Sequence, residues 1–88
     1  MKTAFRKSFT RDLKKIKDNQ LLQRVKQKIE EVEAADSLDD VTGASKISGH
    51  ADYFRLRVGD YRLGIAVVQD EIAFVRCLHR REIYRFFP

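Results

Sequence analysis

The arginines in the last third of the chain are the residues in this sequence best suited to do chemistry. All eight lysines lie at or before Lys46, and every Lys or Arg from position 55 onward is an arginine. A guanidinium presents a planar fork that matches phosphate oxygens, whereas an ammonium is a hydrated point charge. The arginine-rich end therefore predicts an anion-binding site, and the candidate residues are Arg55, Arg57, Arg62, Arg76, Arg80 and Arg81.

Two titratable side chains stand close to these arginines. Tyr84 follows Arg80 by four residues, so a helix would place both side chains on one side. His79 precedes Arg80 and is of the type that changes charge near neutral pH. Both are candidate site residues, and packing of a terminal helix is the competing interpretation for Tyr84.

Other catalytic chemistry is not indicated. Cys77 lies in an apolar run with no base at a readable spacing and is interpreted as a core thiol. His50 lies in a glycine-flanked segment typical of a turn. The sequence has no glycine-rich phosphate loop, no serine triad and no Cys/His spacing typical of zinc sites. We expect neither a metal nor a cofactor.

Length and composition indicate one small domain, residues 1–88. A hydrophobic content of 43% is enough for a core, and a net charge of +5 favours polyanionic partners, nucleic acid first. One cysteine forms no internal disulfide, which indicates a reducing compartment. No apolar run resembles a signal peptide or a membrane span. We therefore expect a soluble, cytoplasmic protein with no membrane partner.

The charge is divided unevenly along the chain. Residues 1–30 carry a net charge of +7, residues 31–54 carry −5 and residues 55–88 carry +3. Lysine-rich helix surfaces are common in soluble proteins, so the first basic segment is mainly interpreted as a solvated face. Residues 55–88 are therefore the favoured location of a binding site.

Hydrophobic spacing predicts a short edge strand at residues 3–7 and then two helices. The first begins near Phe9, with Ser8 or Thr10 as its N-cap. The second follows a break at residues 18–19 and runs through Ala35. Their short connection predicts a helical hairpin, and an acidic loop with a short strand near residues 46–48 comes next.

The spacing then changes to the period of β-strands. Strands are predicted at residues 53–58, 61–68 and 72–78, with a two-residue turn at Gly59 and Asp60. A short terminal helix should dock through Ile83, Phe86 and Phe87. The predicted fold class is α+β, in the order β-α-α-β-β-β with a short C-terminal helix, and the helix pair covers one face of an antiparallel sheet.

The two-residue turn sets the register of the first hairpin. It places Arg57 opposite Arg62 on the face that the helices leave open. Like charges in that arrangement are destabilising, so an anion is expected between them. The third strand has two possible registers, one burying Arg76 in the core and one placing it beside Arg62. Burying an unpaired charge is costly, which favours the second register.

The segments 53–63, 79–84 and 9–16 together resemble the RelE/ParE superfamily of toxins from bacterial type II toxin-antitoxin systems. The resemblance covers nearly the whole chain and implies a microbial-ribonuclease-like fold. RelE-like members cleave mRNA in the ribosomal A site through attack by the RNA's own 2′-hydroxyl, and ParE-like members poison DNA gyrase. The RelE-like function is favoured; a gyrase inhibitor or an inactive binding module is the alternative.

The resemblance assigns roles by position. Arg62 stabilises the charge on the scissile phosphate, Arg80 acts at the leaving oxygen, and Tyr84 acts at the attacking hydroxyl or stacks on a base. Well-studied members carry lysines on the preceding strand, where this chain has Arg55 and Arg57. The catalytic set is thus Arg57, Arg62, Arg80 and Tyr84, and the phosphate-binding set is Arg55, Arg76, Arg81 and His79.

Arginine in place of lysine leaves the general base open. A guanidinium holds its proton too firmly to serve as one, so proton transfer falls to Tyr84 or His79, or the chain is a slow nuclease. The implied partners are mRNA, the ribosome and a cognate antitoxin. A disordered antitoxin tail could fold along the domain, with acidic side chains near the arginines and apolar ones on the terminal helix.

Overall fold

The computed structural model describes residues Met1–Pro88 as helices packed on one five-stranded sheet. The strands are β1 (Lys2–Phe5), β2 (Ala44–Lys46), β3 (Tyr53–Val58), β4 (Tyr61–Val68) and β5 (Glu71–His79). The helices are α1 (Lys7–Lys14), α2 (Asn19–Ala34) and α3 (Ile83–Phe86), and a single 3₁₀ turn spans Leu38–Asp40. The predicted α+β class and element order are confirmed, and no helix is long and apolar enough to cross a membrane.

The strands lie in the order β1-β5-β4-β3-β2. The hairpin turn falls at Gly59 and Asp60, and the register places Arg57 opposite Arg62, as predicted. Gly59 has a φ of 58°, a left-handed conformation that glycine adopts without strain. The sheet is mixed rather than wholly antiparallel, because the edge strand β1 runs parallel to β5. The short strand before β3 comes two residues earlier than expected, at β2.

One sheet face and the two long helices enclose the core. Phe9 of α1, with Val25 and Val32 of α2, is buried in one cluster with strand residues such as Leu63 and Phe74. Each fully buried side chain of this size contributes roughly 1.5–3 kcal/mol of transfer free energy. Because side chains alternate along a strand, burying these residues turns the intervening ones to the second face of the sheet.

The start of α2 agrees with the sequence-based prediction, whereas the start of α1 does not. Asp18 caps α2 by accepting hydrogen bonds from the backbone N–H groups of Gln20 (3.0 Å) and Leu21 (3.2 Å). Helix α1 begins earlier than predicted, with Arg6 at its N-cap and no side-chain cap. The hydroxyl of Ser8 instead donates to the Val75 carbonyl at 2.6 Å, which ties α1 to β5.

The C-terminal segment folds onto the second face of the sheet. Ile83 and Phe87 are buried, whereas Phe86 is 49% exposed and its ring centroid is 5.8 Å from the Arg76 guanidinium and 5.3 Å from that of Arg85. The prediction that all three terminal apolar residues dock is therefore wrong for Phe86. Phe87 follows the helix with an extended backbone (φ −146°, ψ 132°) and its ring is buried, whereas Phe86 ends the helix half exposed.

Candidate functional site

A basic groove opens on the second face of the sheet, opposite α1 and α2. Its volume is about 290 Å³. It is lined by Gly43, Ala44, Ser45, Arg55, Arg57, Arg62 and Tyr84. Arg55, Arg57 and Arg62 stand there because their strand neighbours Leu56 and Leu63 are buried in the core on the other face. No carboxylate lines the groove, so its positive charge is not neutralised by the protein.

The guanidinium of Arg62 is held by the hairpin that carries it. Its Nη1 donates to the backbone carbonyls of Gly59 and Tyr61, at 2.9 Å each. Its Nε and Nη2 make no hydrogen bond within the protein. Nη1 therefore orients the side chain, and the N–H groups of Nε and Nη2 remain available for a ligand. This geometry suits a phosphate bound through two hydrogen bonds.

Arg55 and Tyr84 form a second unit in the groove. The Arg55 guanidinium lies 4.9 Å from the centroid of the Tyr84 ring, within cation–π range. Tyr84 is 69% exposed, so most of its ring and its hydroxyl are open to a ligand. The structure therefore brings a stacking surface and a phenol to the same groove as the arginines.

The wall formed by β2 was not anticipated from the sequence. Gly43 has a φ of 82°, and a Cβ at this position would lie 3.2 Å from the Cβ of Arg57. The Gly43 carbonyl accepts the Arg57 N–H at 3.1 Å. This contact lets β2 begin directly beside Arg57. The glycine followed by two small residues was the available signal for a close approach.

A network on α2 anchors the start of β2. Lys28 Nζ donates to Glu31 Oε1 at 2.8 Å and to the Thr42 carbonyl at 2.7 Å, and the Thr42 N–H donates to Glu31 Oε2 at 2.7 Å. The hydrogen bond from Lys28, with help from the Thr42 N–H, lowers the pKa of Glu31 below its usual range. The groove wall is thereby linked to a helix on the opposite side of the sheet.

The favoured register of β5 is confirmed, because Arg76 is opposite Gly64 and so on the sheet face that carries Arg62, but Arg76 does not line the groove. Its Nε and Nη2 bind the Asp12 carboxylate of α1 at 2.8 and 3.2 Å, and this hydrogen bonding raises the pKa of Arg76. Asp12 is only 5% exposed and also accepts the Cys77 N–H at 2.9 Å. The prediction for Arg76 took its guanidinium as unpaired, whereas Asp12 occupies it and leaves it less able to bind a phosphate in the groove.

The residues at the junction of β5 and α3 lie outside the groove. His79 stands opposite Tyr61 with ring centroids 5.6 Å apart, and its Nδ1 accepts the Arg81 N–H at 3.2 Å. Arg80 and Arg81 are exposed and do not line the groove. The Arg80 backbone N–H donates to the Asp60 carbonyl at 2.8 Å, which fixes the junction beside the hairpin turn.

The groove can bind an anion and stabilise charge that develops on it. Its three guanidiniums keep their protons, so only the hydroxyls of Tyr84 and Ser45 can exchange one. No three His, Cys, Asp or Glu side chains converge to hold a metal ion. Cys77 is buried, as predicted, and burial together with the Asp12 carboxylate raises its pKa to about 12.

Comparison with protein families matches residues 4–84 to the family described as ParE toxin of type II toxin-antitoxin system, parDE. A curated relative is Toxin RelE3 of Methanocaldococcus jannaschii, 45% identical over 89 residues and the full length of both chains. The family match and this relative span both sequence motifs that the groove brings together.

Solved structures share the fold. The RelB–RelE antitoxin–toxin complex from Methanococcus jannaschii contains a chain 43% identical, with a TM-score of 0.79 over 97% of this chain and 99% of that one. The RelBE2 complex of Mycobacterium tuberculosis (23% identical, TM-score 0.66) covers 90% and 96% of the two chains. The DinJ–YafQ complex of E. coli (16% identical, TM-score 0.60) covers 98% and 97% and, at this identity, supports the fold alone.

Proposed function

Because the chain belongs to the ParE toxin family and is a RelE-like toxin of a type II toxin-antitoxin system, we propose that it is an endoribonuclease that cleaves mRNA. The observation that carries the proposal is the groove. Arg55, Arg57, Arg62 and Tyr84 come from two strands and a terminal helix and meet on one uncovered face with no acid among them.

RNA cleavage in this groove uses positioning and charge stabilisation. The 2′-oxygen of the substrate forms a bond to the adjacent phosphorus, the bond from phosphorus to the 5′-oxygen breaks, and the phosphoryl oxygens gain negative charge. Arg62 binds those oxygens through its free Nε and Nη2, and Arg57 stands opposite it on β3. Donors of this kind contribute roughly 10²–10³-fold in rate each.

The two protons are moved by other groups. The Tyr84 hydroxyl oxygen accepts the proton of the 2′-hydroxyl while the phenol releases its own proton to solvent, and the leaving 5′-oxygen takes a proton from solvent. His79 packs on Tyr61 outside the groove and has no part in this step. Arg80 and Arg81, exposed beside the hairpin turn, contact flanking phosphates and the ribosome.

An antitoxin is the partner that restrains the toxin. The similar RelE chain from Methanococcus jannaschii was solved in complex with its antitoxin RelB. The groove has three guanidiniums and no carboxylate, so it attracts polyanions of either kind. We therefore assign it as the place where acidic side chains of the antitoxin compete with RNA.

Induction in cells followed by primer extension on an abundant mRNA tests the function. New breaks in the presence of the wild-type chain, lost in Arg62→Ala and kept in Lys46→Gln, are the expected result. Lys46 is a matched control because it is opposite Phe54 in register and so faces away from the groove. A second candidate, action on DNA gyrase, is favoured by the ParE family match. DNA breaks without mRNA breaks would establish that candidate, and absence of toxicity would indicate an inactive module.

A further inference from the structure

The position of Tyr84 depends on residues other than Tyr84. It lies on α3, a helix of four residues, which is far too short to be stable by itself in water. Tyr84 is 69% exposed, and its one aromatic contact is with the Arg55 guanidinium. The segment that carries it must therefore be fixed to the sheet by its buried members.

Phe87 supplies the most specific of these attachments. It is buried, its ring lies over Gly64 of β4, and the Tyr53 ring meets it edge-on with a centroid distance of 5.6 Å. A Cβ at position 64 would lie 2.7 Å from the Phe87 ring, closer than any real contact. The ring therefore occupies the space that any side chain at position 64 would need.

Gly64 has no left-handed backbone angle that would call for glycine. It stands in the interior of a strand, where glycine weakens the sheet relative to other residues. The reason for glycine at this position is thus the close approach of the Phe87 ring. Arg62, which lies two residues before Gly64 on β4 and nearer the turn, lines the groove.

We propose that Phe87, seated over Gly64, is a positioning residue that holds the Tyr84 ring against Arg55 in the groove. We call this contact the latch: the Phe87 ring packs on Gly64 and fixes the end of α3 to the sheet. The other end of α3 follows β5, and Tyr84 lies between these two attachments. The role assigned to Tyr84 rests on the proposed nuclease function, whereas the placement of its ring does not.

A fluorescent reporter at position 84 tests the placement directly. The chain contains no tryptophan, so a Tyr84→Trp variant carries a single indole. In that background Phe87→Ala and Gly64→Ala should lower the fluorescence anisotropy of the indole and increase its quenching by acrylamide. Phe86→Ala is the matched control, because Phe86 is on the same helix but half exposed, and it should leave both readings unchanged. Phe87→Leu, which keeps an apolar contact without the flat ring, should give intermediate values.

RNA cleavage by the same substitutions in the Tyr84 protein provides the second reading. Displacement of a catalytic group by about 1 Å can cost on the order of 100-fold in rate, so kcat should fall 10- to 100-fold while KM, set by the arginines, changes little. Unchanged anisotropy in both Phe87→Ala and Gly64→Ala, with native circular dichroism, would overturn the latch. A latch that releases the indole while cleavage continues at the wild-type rate would instead refute the role of Tyr84 in the proposed function.

Discussion

Arg57 and Arg62 lie directly opposite each other on β3 and β4, two permanent positive charges in a cross-strand pair with no acid between them. Arg62 partly relieves the conflict by turning its Nη1 to the carbonyls of Gly59 and Tyr61. The remaining repulsion is a cost in stability that an anionic ligand removes on binding. We therefore expect that removing one of these charges increases the stability of the protein and weakens its function.

Replacing Arg57 by an uncharged residue should stabilise the folded protein and reduce its cleavage of RNA. Arg57→Gln removes the like-charge pair, so the free energy of unfolding should rise by a few tenths to about 1 kcal/mol. Cleavage should fall at least tenfold, because one guanidinium of the groove is lost. Urea denaturation and a cleavage assay measure the two effects. Lys46→Gln removes the same charge from the other face and should change neither by a comparable amount.

The salt dependence of RNA binding should separate Arg62 from Arg76. Each neutralised phosphate contributes about 0.7 to the slope of log affinity against log salt for single-stranded RNA. Arg62→Gln should reduce the slope by about that amount. Arg76→Gln should leave it unchanged, because Asp12 already occupies the Arg76 guanidinium. A reduced slope in the Arg76 variant would return this residue to the phosphate-binding set.

The Asp12–Arg76 pair should contribute to the attachment of α1 to β5. Asp12→Ala leaves the Cys77 N–H and the Arg76 guanidinium without their acceptor, which should cost roughly 2–4 kcal/mol. In a double-mutant cycle with Arg76→Ala the coupling should be about 1–3 kcal/mol. Chemical denaturation followed by circular dichroism measures all four species. Additivity of the two substitutions would mean that the ion pair adds nothing.

The sequence was sufficient for the parts of the fold that local rules control. A glycine at the first position of a two-residue turn determined the register of the β3–β4 hairpin, and with it the arginine face. The switch from helical to strand spacing located both long helices and three strands. The predicted break at residues 18–19 marked the start of α2, and Asp18 is its N-cap in the structure.

Long-range contacts account for what was missed. The register of β4 and β5 shifts between Gly64 and Ile65, so counting from the turn could not decide which face carries Arg76, and no local pattern showed that its guanidinium binds Asp12. Its partner Asp12 is 64 residues away, and the only local hint was that it is the sole acid among the first seventeen residues. Ser8 was a predicted helix cap, but its hydroxyl instead donates a hydrogen bond to the Val75 carbonyl of β5.

Cys77 should be inert in the folded protein. With a pKa raised to about 12 by burial, only about one thiol in 10⁴ is ionised at pH 8, and the side chain is out of reach of solvent. Iodoacetamide should leave the native protein unmodified and alkylate it fully in denaturant, as measured by mass spectrometry. Alkylation of the native protein at the denatured rate would contradict this burial.

Glu31 should make the stability of the protein depend on pH on the acid side. Its pKa is lowered below the ordinary value of 4.5 by Lys28 and by the Thr42 N–H, so the folded state binds a proton less readily than the unfolded chain. The stabilisation is therefore complete above about pH 4.5 and is lost as the pH falls through the lower folded pKa. Because the side chain is 35% exposed, solvent screening limits the contribution to less than about 1 kcal/mol.

Comparing Glu31→Gln with the wild-type chain in urea between pH 7 and pH 3 measures this contribution. The amide keeps the shape of the side chain and can still accept the Thr42 N–H, so the difference isolates the charge. Wild-type protein should be more stable at pH 7, and the difference should shrink below pH 4.5 and vanish at the acid end. Glu30→Gln is the control, since Glu30 is exposed and makes no ion pair, and it should show no such change. A difference for Glu31→Gln that stays constant down to pH 3 would show that the carboxylate charge does not anchor the Thr42 segment next to the groove.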